Sequence, residues 1–412
     1  MPIDEVLVSA LPGDRRAAAR DRGVLVRLAV DGGASGPRLG ELHLGRVLRL
    51  APSMDAAFVD LGGEHPGILM RSDAPAGRPL SEGARILVRV TREAEGRKGP
   101  KLDARLQPDE RALAQAAECT HPSPPWRIAA GADPIAVLIR LAAGPSLQRV
   151  VVDDAQTLAA LRVAVPEVAS RLQLWQEPHA LFASRGLDDD IATALASEVP
   201  LPSGGRVTFE HTAAVTAIDV DLGAAAGFGA SAKAAALACD LEAAEVIGRQ
   251  IVLRDLAGLI VIDFVPVRRP GERGRVQSAL QAALSEDDRA VRIAGWTRLG
   301  LLELTRQRHG PSLSHRLSAG CTACAGDGRS PAAWWTAGEA LRAVLAASRQ
   351  TPGAVPRLAA SPSILAALAG PLAAARAAVE AKLGCRLELT EGTGAPGVDF
   401  LLQPSAPRRP DA

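Results

Sequence analysis

The sequence predicts a mixed α/β protein of several subdomains, with a small β-barrel inserted into an α/β layer. Three observations support this prediction. Residues 42–91 contain only short strands, short helices and strands alternate after Trp126, and one long helix near Ala232–Leu253 joins two apolar strands that carry Asp. Because 47% of the 412 residues are hydrophobic, we expect real cores, in about two to four domains.

Net charge does not assign a partner. The formal charge is +1, and a near-neutral protein can still hold a basic groove for nucleic acid. Of the 47 basic residues only four are Lys, so Arg, whose planar fork suits phosphate, makes up nearly all of them. A coding bias toward Arg and Ala explains most of this excess, and Arg content alone therefore decides nothing.

Neither a membrane span nor an export signal is expected. Apolar runs such as Leu256–Val267 fall short of the roughly 20 residues that a bilayer span needs. The N-terminus has acidic charge before any apolar stretch and no basic leader. The five cysteines, an odd number, argue against a disulfide framework. These features predict a cytoplasmic protein.

The N-terminal elements are two strands, Val6–Leu11 and Gly23–Leu28, which we interpret as a hairpin around a polar, Arg-rich segment. Short strands separated by turn residues follow, and their number and spacing are typical of an OB-type barrel that binds nucleic acid. A purely structural barrel with solvated arginines fits the pattern equally well. The predicted strands are Leu42–Leu50, Ala56–Leu61, Gly67–Met70 and Arg85–Thr91.

The rest of the chain divides at its Gly- and Pro-rich segments. Residues 108–125 form a predicted connector, followed by a helix from Pro134 that Asp133 caps and a second α/β layer. Arg206–Glu210 and Ala214–Val220 predict another hairpin. Beyond residue 331, two or three Ala-rich helices and two strands predict a small α/β domain.

Two apolar strands carry a carboxylate each, at Asp219 and Asp263. Burying an ionised Asp costs several kcal/mol without a partner, so we expect a cation or hydrogen-bond donors at both positions. The helix between the strands is long enough to cross a sheet, which would bring the two carboxylates together. Oxygen ligands without His or Cys favour Mg²⁺ or Mn²⁺, whose coordinated water attacks phosphodiesters. Ion pairs with Arg254 or Arg298 are the structural alternative.

The segments LPSGG, AVTAIDVD, DLEAAEVIGRQIVLRDLAGLIVIDF, RLGLLELTRQR and PSL occur in this order between Leu201 and Leu313. This string resembles the catalytic core of the RNase E/G family. Upstream, GRVLRLAPSMDAAFVDLGGEHPGIL and EGRKGPKL resemble its OB-type RNA-binding insertion. The resemblance implies a metal-dependent endoribonuclease that hydrolyses single-stranded RNA to 5′-phosphate and 3′-hydroxyl ends, with the metal on Asp219 and Asp263.

The resemblance also implies a division into subdomains. Residues 1–35 and 125–187 would form an RNase H-like subdomain, interrupted by the barrel at 36–107 and by a connector at 108–124. A DNase I-like catalytic subdomain would follow at 188–310, then a zinc link at 311–330. A small C-terminal dimerisation domain would occupy 331–412, as in the short members of the family.

Departures from the family pattern affect three functions. Asp221 stands where the family usually has Asn, which adds a third carboxylate to the catalytic site. Phe58 remains as a base-stacking candidate, but Ile68 occupies the place of a second aromatic. Lys98 and Lys101 are candidate phosphate contacts or plain solvated charges. The segment Leu106–Trp126 lacks the family's 5′-monophosphate sensor motif.

Cys321 and Cys324 form a CxxC in the segment where the family has a zinc link. One CxxC supplies two of the four ligands that structural zinc prefers. The resemblance implies that a second protomer supplies the others, giving a homodimer or a dimer of dimers. A metal-free loop and an intrachain site completed by His309 or His315 remain open at this point.

The function favoured by the sequence is therefore an Mg²⁺-dependent endoribonuclease. A non-catalytic RNA-binding protein with an altered site around Asp221 is the alternative, and a nuclease acting on DNA is a third possibility. Intact strand contexts for Asp219 and Asp263 favour the enzyme.

Overall fold

A computed structural model describes most of the chain and divides it into two units, Met1–Leu317 and Ser318–Ala412. Each unit is considered by itself. The described residues are 2–11, 13–32, 36–75, 80–95, 98–113, 123–212, 214–223, 232–267, 269–321, 324, 331–350, 356–392 and 400–404.

The first sheet of the larger unit has the strand order β11-β10-β1-β2-β3. Strands β10 and β11 run parallel to β1, whereas β2 and β3 continue from β1 as an antiparallel meander. Its strands are β1 (Glu5–Leu11), β2 (Asp14–Asp21), β3 (Val24–Gly32), β10 (Arg149–Val152) and β11 (Leu172–Leu174).

The predicted N-terminal hairpin is wrong, because the polar segment between its arms is itself a strand, β2, which pairs with both β1 and β3 and lies between them. Ala17, Ala18 and Ala19 of this strand are fully buried, while Arg15 at its start pairs with Asp31 and Asp133. Because β2 has small side chains in its middle and an ion-paired Arg at its start, this Arg-rich segment can form an interior strand of the sheet.

Helices cover both faces of this sheet, so its strands carry apolar residues at consecutive positions. Val6 and Val8 of β1 pack toward α1 and α2, and Leu7 packs against the opposite layer. The predicted cap is confirmed: Asp133 accepts a hydrogen bond from the Ile135 N–H at the start of α1. The helices are α1 (Pro134–Ala142), α2 (Ala155–Ala164), α3 (Leu181–Ser184) and α4 (Leu187–Leu195).

The second sheet closes into a five-stranded barrel, consistent with the predicted OB type. Its neighbours follow the order β5-β6-β8-β7-β4, and β4 pairs again with β5. A sixth strand, β9, extends the sheet beside β4. The strands are β4 (Leu42–Ala51), β5 (Ala56–Asp60), β6 (Gly67–Met70), β7 (Arg85–Arg92), β8 (Lys101–Asp103) and β9 (Trp126–Ala129).

The third sheet has the order β12-β13-β14-β15-β17-β16, and two helices, α5 and α6, cover one of its faces. Ile260 and Ile262 of β15 are fully buried against these helices, each contributing about 1.5–3 kcal/mol by burial. The strands are β12 (Glu198–Pro200), β13 (Arg206–His211), β14 (Val215–Asp221), β15 (Gly258–Asp263), β16 (Val291–Trp296) and β17 (Leu302–Arg306). The helices are α5 (Ala232–Leu253), α6 (Pro270–Ala283) and the short α7 (Leu313–Leu317).

In the described part of the smaller unit, three helices pack on a three-stranded sheet of order β19-β18-β20. Its elements are α8 (Ala333–Gln350), β18 (Pro356–Ala360), α9 (Pro362–Ala369), α10 (Ala373–Leu383), β19 (Glu388–Glu391) and β20 (Phe400–Pro404). Across the described residues, no single helix is long and apolar enough to cross a membrane. In the same described residues, one pair of helices, α9 and α10, passes the length and hydropathy test when taken together, but the pair bends by 82° between them.

Candidate functional site

Asp219 and Asp263 lie directly opposite each other on adjacent parallel strands. The register of β14 and β15 pairs Val215 with Leu259 at one end and Asp219 with Asp263 at the other. Parallel neighbours lie about 4.8 Å apart, so the two carboxylates leave the same edge of the sheet side by side. The predicted juxtaposition is confirmed by this register, because α5 returns the chain to the edge at which β14 began.

Both carboxylates lie on the uncovered face of the sheet, which corrects the argument from burial. Ile218 and Val220 point into the core under α5, whereas Asp219, between them, is exposed. Asp263 is exposed in the same way. An exposed carboxylate pays a smaller desolvation penalty than a fully buried one, so the convergence of two like charges is the stronger indication of a cation.

The electrostatics of the pair agree with that inference. Partial burial together with the negative charges of Asp263 and Asp221 raises the pKa of Asp219 above its usual range, and the nearby Arg206 opposes the shift. In the described part of the chain neither Asp219 nor Asp263 forms an ion pair. Arg254, the proposed alternative partner, instead donates to Gln250 and to carbonyls at the end of α4.

Asp221, two residues beyond Asp219 on the same face, already has partners for both of its oxygens. One oxygen accepts a hydrogen bond of 2.5 Å from Arg206, the residue opposite it on β13. The other accepts the Gly223 N–H at 2.9 Å. The third carboxylate is therefore neutralised by a neighbouring guanidinium, which reduces the extra negative charge expected from the sequence.

Two glycines allow the chain to place Arg206 beside Asp221. A Cβ on Gly205 would lie 2.7 Å from the Asp221 carbonyl oxygen. Gly223 has φ of +51°, and a Cβ there would lie 2.6 Å from the Gly204 carbonyl oxygen. The turn before β13 therefore packs directly on the end of β14, and side chains other than hydrogen would separate them.

The donors fit a hard divalent cation. Mg²⁺ commonly uses one or two protein carboxylates and keeps several waters, and Asp219 and Asp263 provide such a pair on an open face. Among the residues that the structure describes, no three His, Cys, Asp or Glu side chains gather around one point. The chain thus offers two carboxylates rather than a complete protein cage.

A row of side chains crosses the outside of the barrel. Cross-strand pairing places Arg49 opposite Phe58, Phe58 opposite Ile68, and Ile68 opposite Lys101. A β-bulge between Val47 and Arg49 aligns Arg49 with this row, and its guanidinium lies 4.3 Å from the Phe58 ring centroid. We call Arg49, Phe58, Ile68 and Lys101 the barrel row.

The two predicted lysine contacts differ. Lys101 forms an ion pair of 3.2 Å with Asp73, so part of its charge is already compensated. Lys98 is exposed at the hairpin between β7 and β8. The charges available for phosphate on this surface are therefore Lys98 and Arg49 more than Lys101.

Cys321 is exposed and Cys324 is half-buried, while the two residues between them lie outside the described part of the chain. Most of the predicted connector, including residues 114–122, also lies outside the described residues. Glu110 at its start pairs with Arg89 of the barrel.

Sequence reasoning missed Arg206 and Arg49. Each acts across strands: Arg206 holds Asp221, and Arg49 stacks on Phe58. The sequence does contain an Arg on each strand predicted to lie beside a site residue. Which Arg faces the site residue depends on the strand register, and only the folded sheet shows that register.

Comparison with known proteins places these features in a family. The chain is 26% identical to ribonuclease G of Haemophilus influenzae over 79% of this chain and 84% of that protein. Ribonuclease G of Salmonella typhimurium is 26% identical over 93% of this chain and 96% of its own length. Ribonuclease E of Escherichia coli is 28% identical over 76% of this chain, which spans only 37% of that longer protein.

The model of the ribonuclease E/G family matches residues 78–309, more than half of the chain. This segment contains the last barrel strands and the whole third sheet, including Asp219, Asp221 and Asp263. The chain belongs to the ribonuclease E/G family.

Proposed function

We propose that this protein is a divalent-metal-dependent endoribonuclease that cleaves single-stranded RNA to 5′-phosphate and 3′-hydroxyl ends. The observation that carries the proposal is the in-register pair of Asp219 and Asp263 at one open edge of a sheet in a ribonuclease E/G family member. Metal dependence follows from the two adjacent carboxylates, whose mutual repulsion a cation relieves.

Asp219 and Asp263 would hold Mg²⁺ or Mn²⁺. When bound, a divalent cation activates water and offsets the charge that develops on a phosphodiester. Asp221, kept in place by Arg206 and the Gly223 N–H, offers acceptor oxygens next to the pair. The barrel row supplies an apolar surface flanked by cations, which suits the bases and phosphates of a single strand.

The test uses matched single-stranded RNA and DNA oligonucleotides of one sequence, each labelled at the 5′ end. Cleavage of RNA with Mg²⁺, loss of cleavage with EDTA, and intact DNA are expected. The Asp219→Asn protein, purified in parallel, controls for contaminating nuclease. RNA binding without cleavage would support the non-catalytic alternative. Cleavage of DNA but not of RNA would show that the substrate is DNA.

We also propose that Cys321 and Cys324 bind zinc jointly with the same pair in a second chain. Two exposed or half-exposed thiols three positions apart in the sequence can supply half of a tetrahedral site, and a symmetric partner supplies the rest.

The double variant Cys321→Ser/Cys324→Ser should lower the oligomeric state and remove about half an equivalent of zinc per chain. Light scattering and elemental analysis measure both quantities, and Cys385→Ser serves as a control that leaves the CxxC intact. A parent protein without zinc and with the same assembly as the variant would contradict the shared site.

A further inference from the structure

The ion pair between Arg206 and Asp221 adjoins the proposed metal site without belonging to it. Arg206 opens β13, Asp221 closes β14, and the antiparallel register sets them face to face. The next pair on the same face is Thr208 opposite Asp219, which itself lies opposite Asp263. The guanidinium is thus one residue pair away from the carboxylates that would hold the cation.

We propose that Arg206 is a positioning residue that neutralises Asp221 and so sets the charge of the metal site to that of Asp219 and Asp263 alone. This inference rests on the proposed metal-dependent function. Asp221 then acts as a fixed hydrogen-bond acceptor rather than as a third anionic ligand.

The contacts of Asp221 support this role. Its two oxygens are occupied in different directions, one by the Arg206 guanidinium at 2.5 Å and one by the Gly223 N–H at 2.9 Å. A carboxylate held at both oxygens loses the freedom to swing toward a cation between Asp219 and Asp263. The close packing of Gly205 and Gly223 on neighbouring backbone fixes the strand ends that carry the ion pair.

Charge balance is the second line of support. Asp219, Asp221 and Asp263 would place three negative charges at one sheet edge, because Asp219 lies opposite Asp263 on β15 and two residues before Asp221 on β14. Arg206, opposite Asp221, brings one positive charge to the same edge. Removing either member of the ion pair therefore changes the net charge beside the metal by one unit, and removing both restores it.

A double-variant cycle on the full chain tests the proposal through metal binding without RNA. The variants are Arg206→Gln, Asp221→Asn and the double change, and the readout is the Mn²⁺ dissociation constant from isothermal titration calorimetry. The amide introduced by Asp221→Asn can still accept from the Gly223 N–H, and Arg206→Gln keeps a long polar side chain, so the strand ends retain their shape. Thermal unfolding verifies that each variant is folded.

Arg206→Gln should tighten Mn²⁺ binding about three- to tenfold, because an uncompensated carboxylate remains nearby. Asp221→Asn should weaken it by a similar factor, since an unpaired guanidinium remains. The double variant should return to within about twofold of the parent. An uncharged Asn at position 221 would thus impair the site unless Arg206 is removed as well.

Arg292→Gln is the matched control. It removes one Arg from the same sheet, but from the edge strand β16, three strands away from β14, where salt screens its charge from the site. If Mn²⁺ affinity is unchanged in both single variants while Asp219→Asn still loses binding, the proposed role of Arg206 is wrong but the metal site stands. A parent protein that binds no Mn²⁺ would overturn the metal site and this inference together.

Discussion

The third sheet and the barrel present opposite charges to a nucleic acid. The open edge of the sheet carries three carboxylates and one compensating Arg, whereas the barrel row places Arg49 and the partly compensated Lys101 on either side of Phe58 and Ile68. A phosphate backbone is attracted to the second surface and repelled by the first until a cation is bound. The affinity for RNA and the rate of RNA cleavage should therefore depend on different residues.

The largest effect is expected at the sheet. Asp219→Asn and Asp263→Asn should each reduce cleavage at least about a thousandfold, because the cation loses one of two carboxylates and its activation of water fails. RNA binding measured by fluorescence anisotropy should remain within a few-fold of the parent. The control is Glu303→Gln, which removes a carboxylate from the exposed face of neighbouring strand β17. Cleavage near the parent rate by either Asn variant would exclude this pair from catalysis.

The second effect belongs to the barrel. Phe58→Ala should weaken binding of single-stranded RNA about tenfold, within the roughly 1–3 kcal/mol that stacking of one base contributes. Cleavage at saturating RNA should stay unchanged, since the sheet is untouched. Ile68→Phe, which adds a ring at the adjacent position of the barrel row, should tighten binding. Equal affinities for all three proteins would show that bases do not stack on this surface.

The paired aspartates were predictable because each stands in an apolar strand and the helix between them has the length of a sheet crossing. Their exposure was not, since Leu259 and Val261 make the open face of β15 as apolar in sequence as its buried face. The strand β2 escaped prediction because three alanines, rather than large apolar residues, fill its buried positions.

The sequence predicted the strands of the barrel but not which side chains meet on its outer surface. The alternation in β7 identified its inward side chains, Ile86, Val88 and Val90, all of them buried in the barrel core. The stacking of Arg49 on Phe58 depends on a bulge in β4, and no local pattern in the sequence specifies where that extra residue falls.

The third expected effect is a pH dependence of stability, and it arises from a buried carboxylate on α5, the helix that covers the third sheet. Asp240 of α5 is fully buried; one oxygen accepts the Val265 N–H at 3.0 Å, and the other has no partner among the described residues. Burial raises the pKa of Asp240 to about 7. The unfolded chain releases this proton near about pH 4, so the folded state loses stability as pH rises from about 4 through 7.

Asp240→Asn keeps an acceptor for Val265 but cannot ionise. The variant should therefore unfold at a higher temperature than the parent at pH 8, by several degrees, with little difference at pH 5. Asp154→Asn provides the contrast, because the Thr157 backbone N–H lowers the pKa of that capping carboxylate and its loss should give no gain at pH 8. A parent and Asp240→Asn protein with parallel melting curves across this range would mean that Asp240 stays charged.

The smallest effect is expected at the 5′ end of the substrate. The segment Leu106–Trp126 contains Asp109, Glu110, Arg111, Glu118 and His121 as its charged or imidazole groups, so three of the five are acidic. Glu110 is paired with Arg89 of the barrel, and Arg111 donates to the Leu106 carbonyl, which leaves little positive charge to hold a terminal phosphate. Recognition should then rest on the barrel row and the sheet, which under the proposed function would bind internal nucleotides.

Cleavage should accordingly be nearly indifferent to a 5′-monophosphate. A dedicated pocket would give the terminal phosphate charge-assisted hydrogen bonds and hold the strand in register, raising the rate for that substrate. The measurement compares initial rates on one oligonucleotide carrying either a 5′-monophosphate or a 5′-hydroxyl, with Phe58→Ala as a control that slows both equally at low RNA concentration. A preference above about tenfold, equivalent to some 1.4 kcal/mol, would require a phosphate pocket elsewhere in the chain and would shift recognition from the barrel to the end of the RNA.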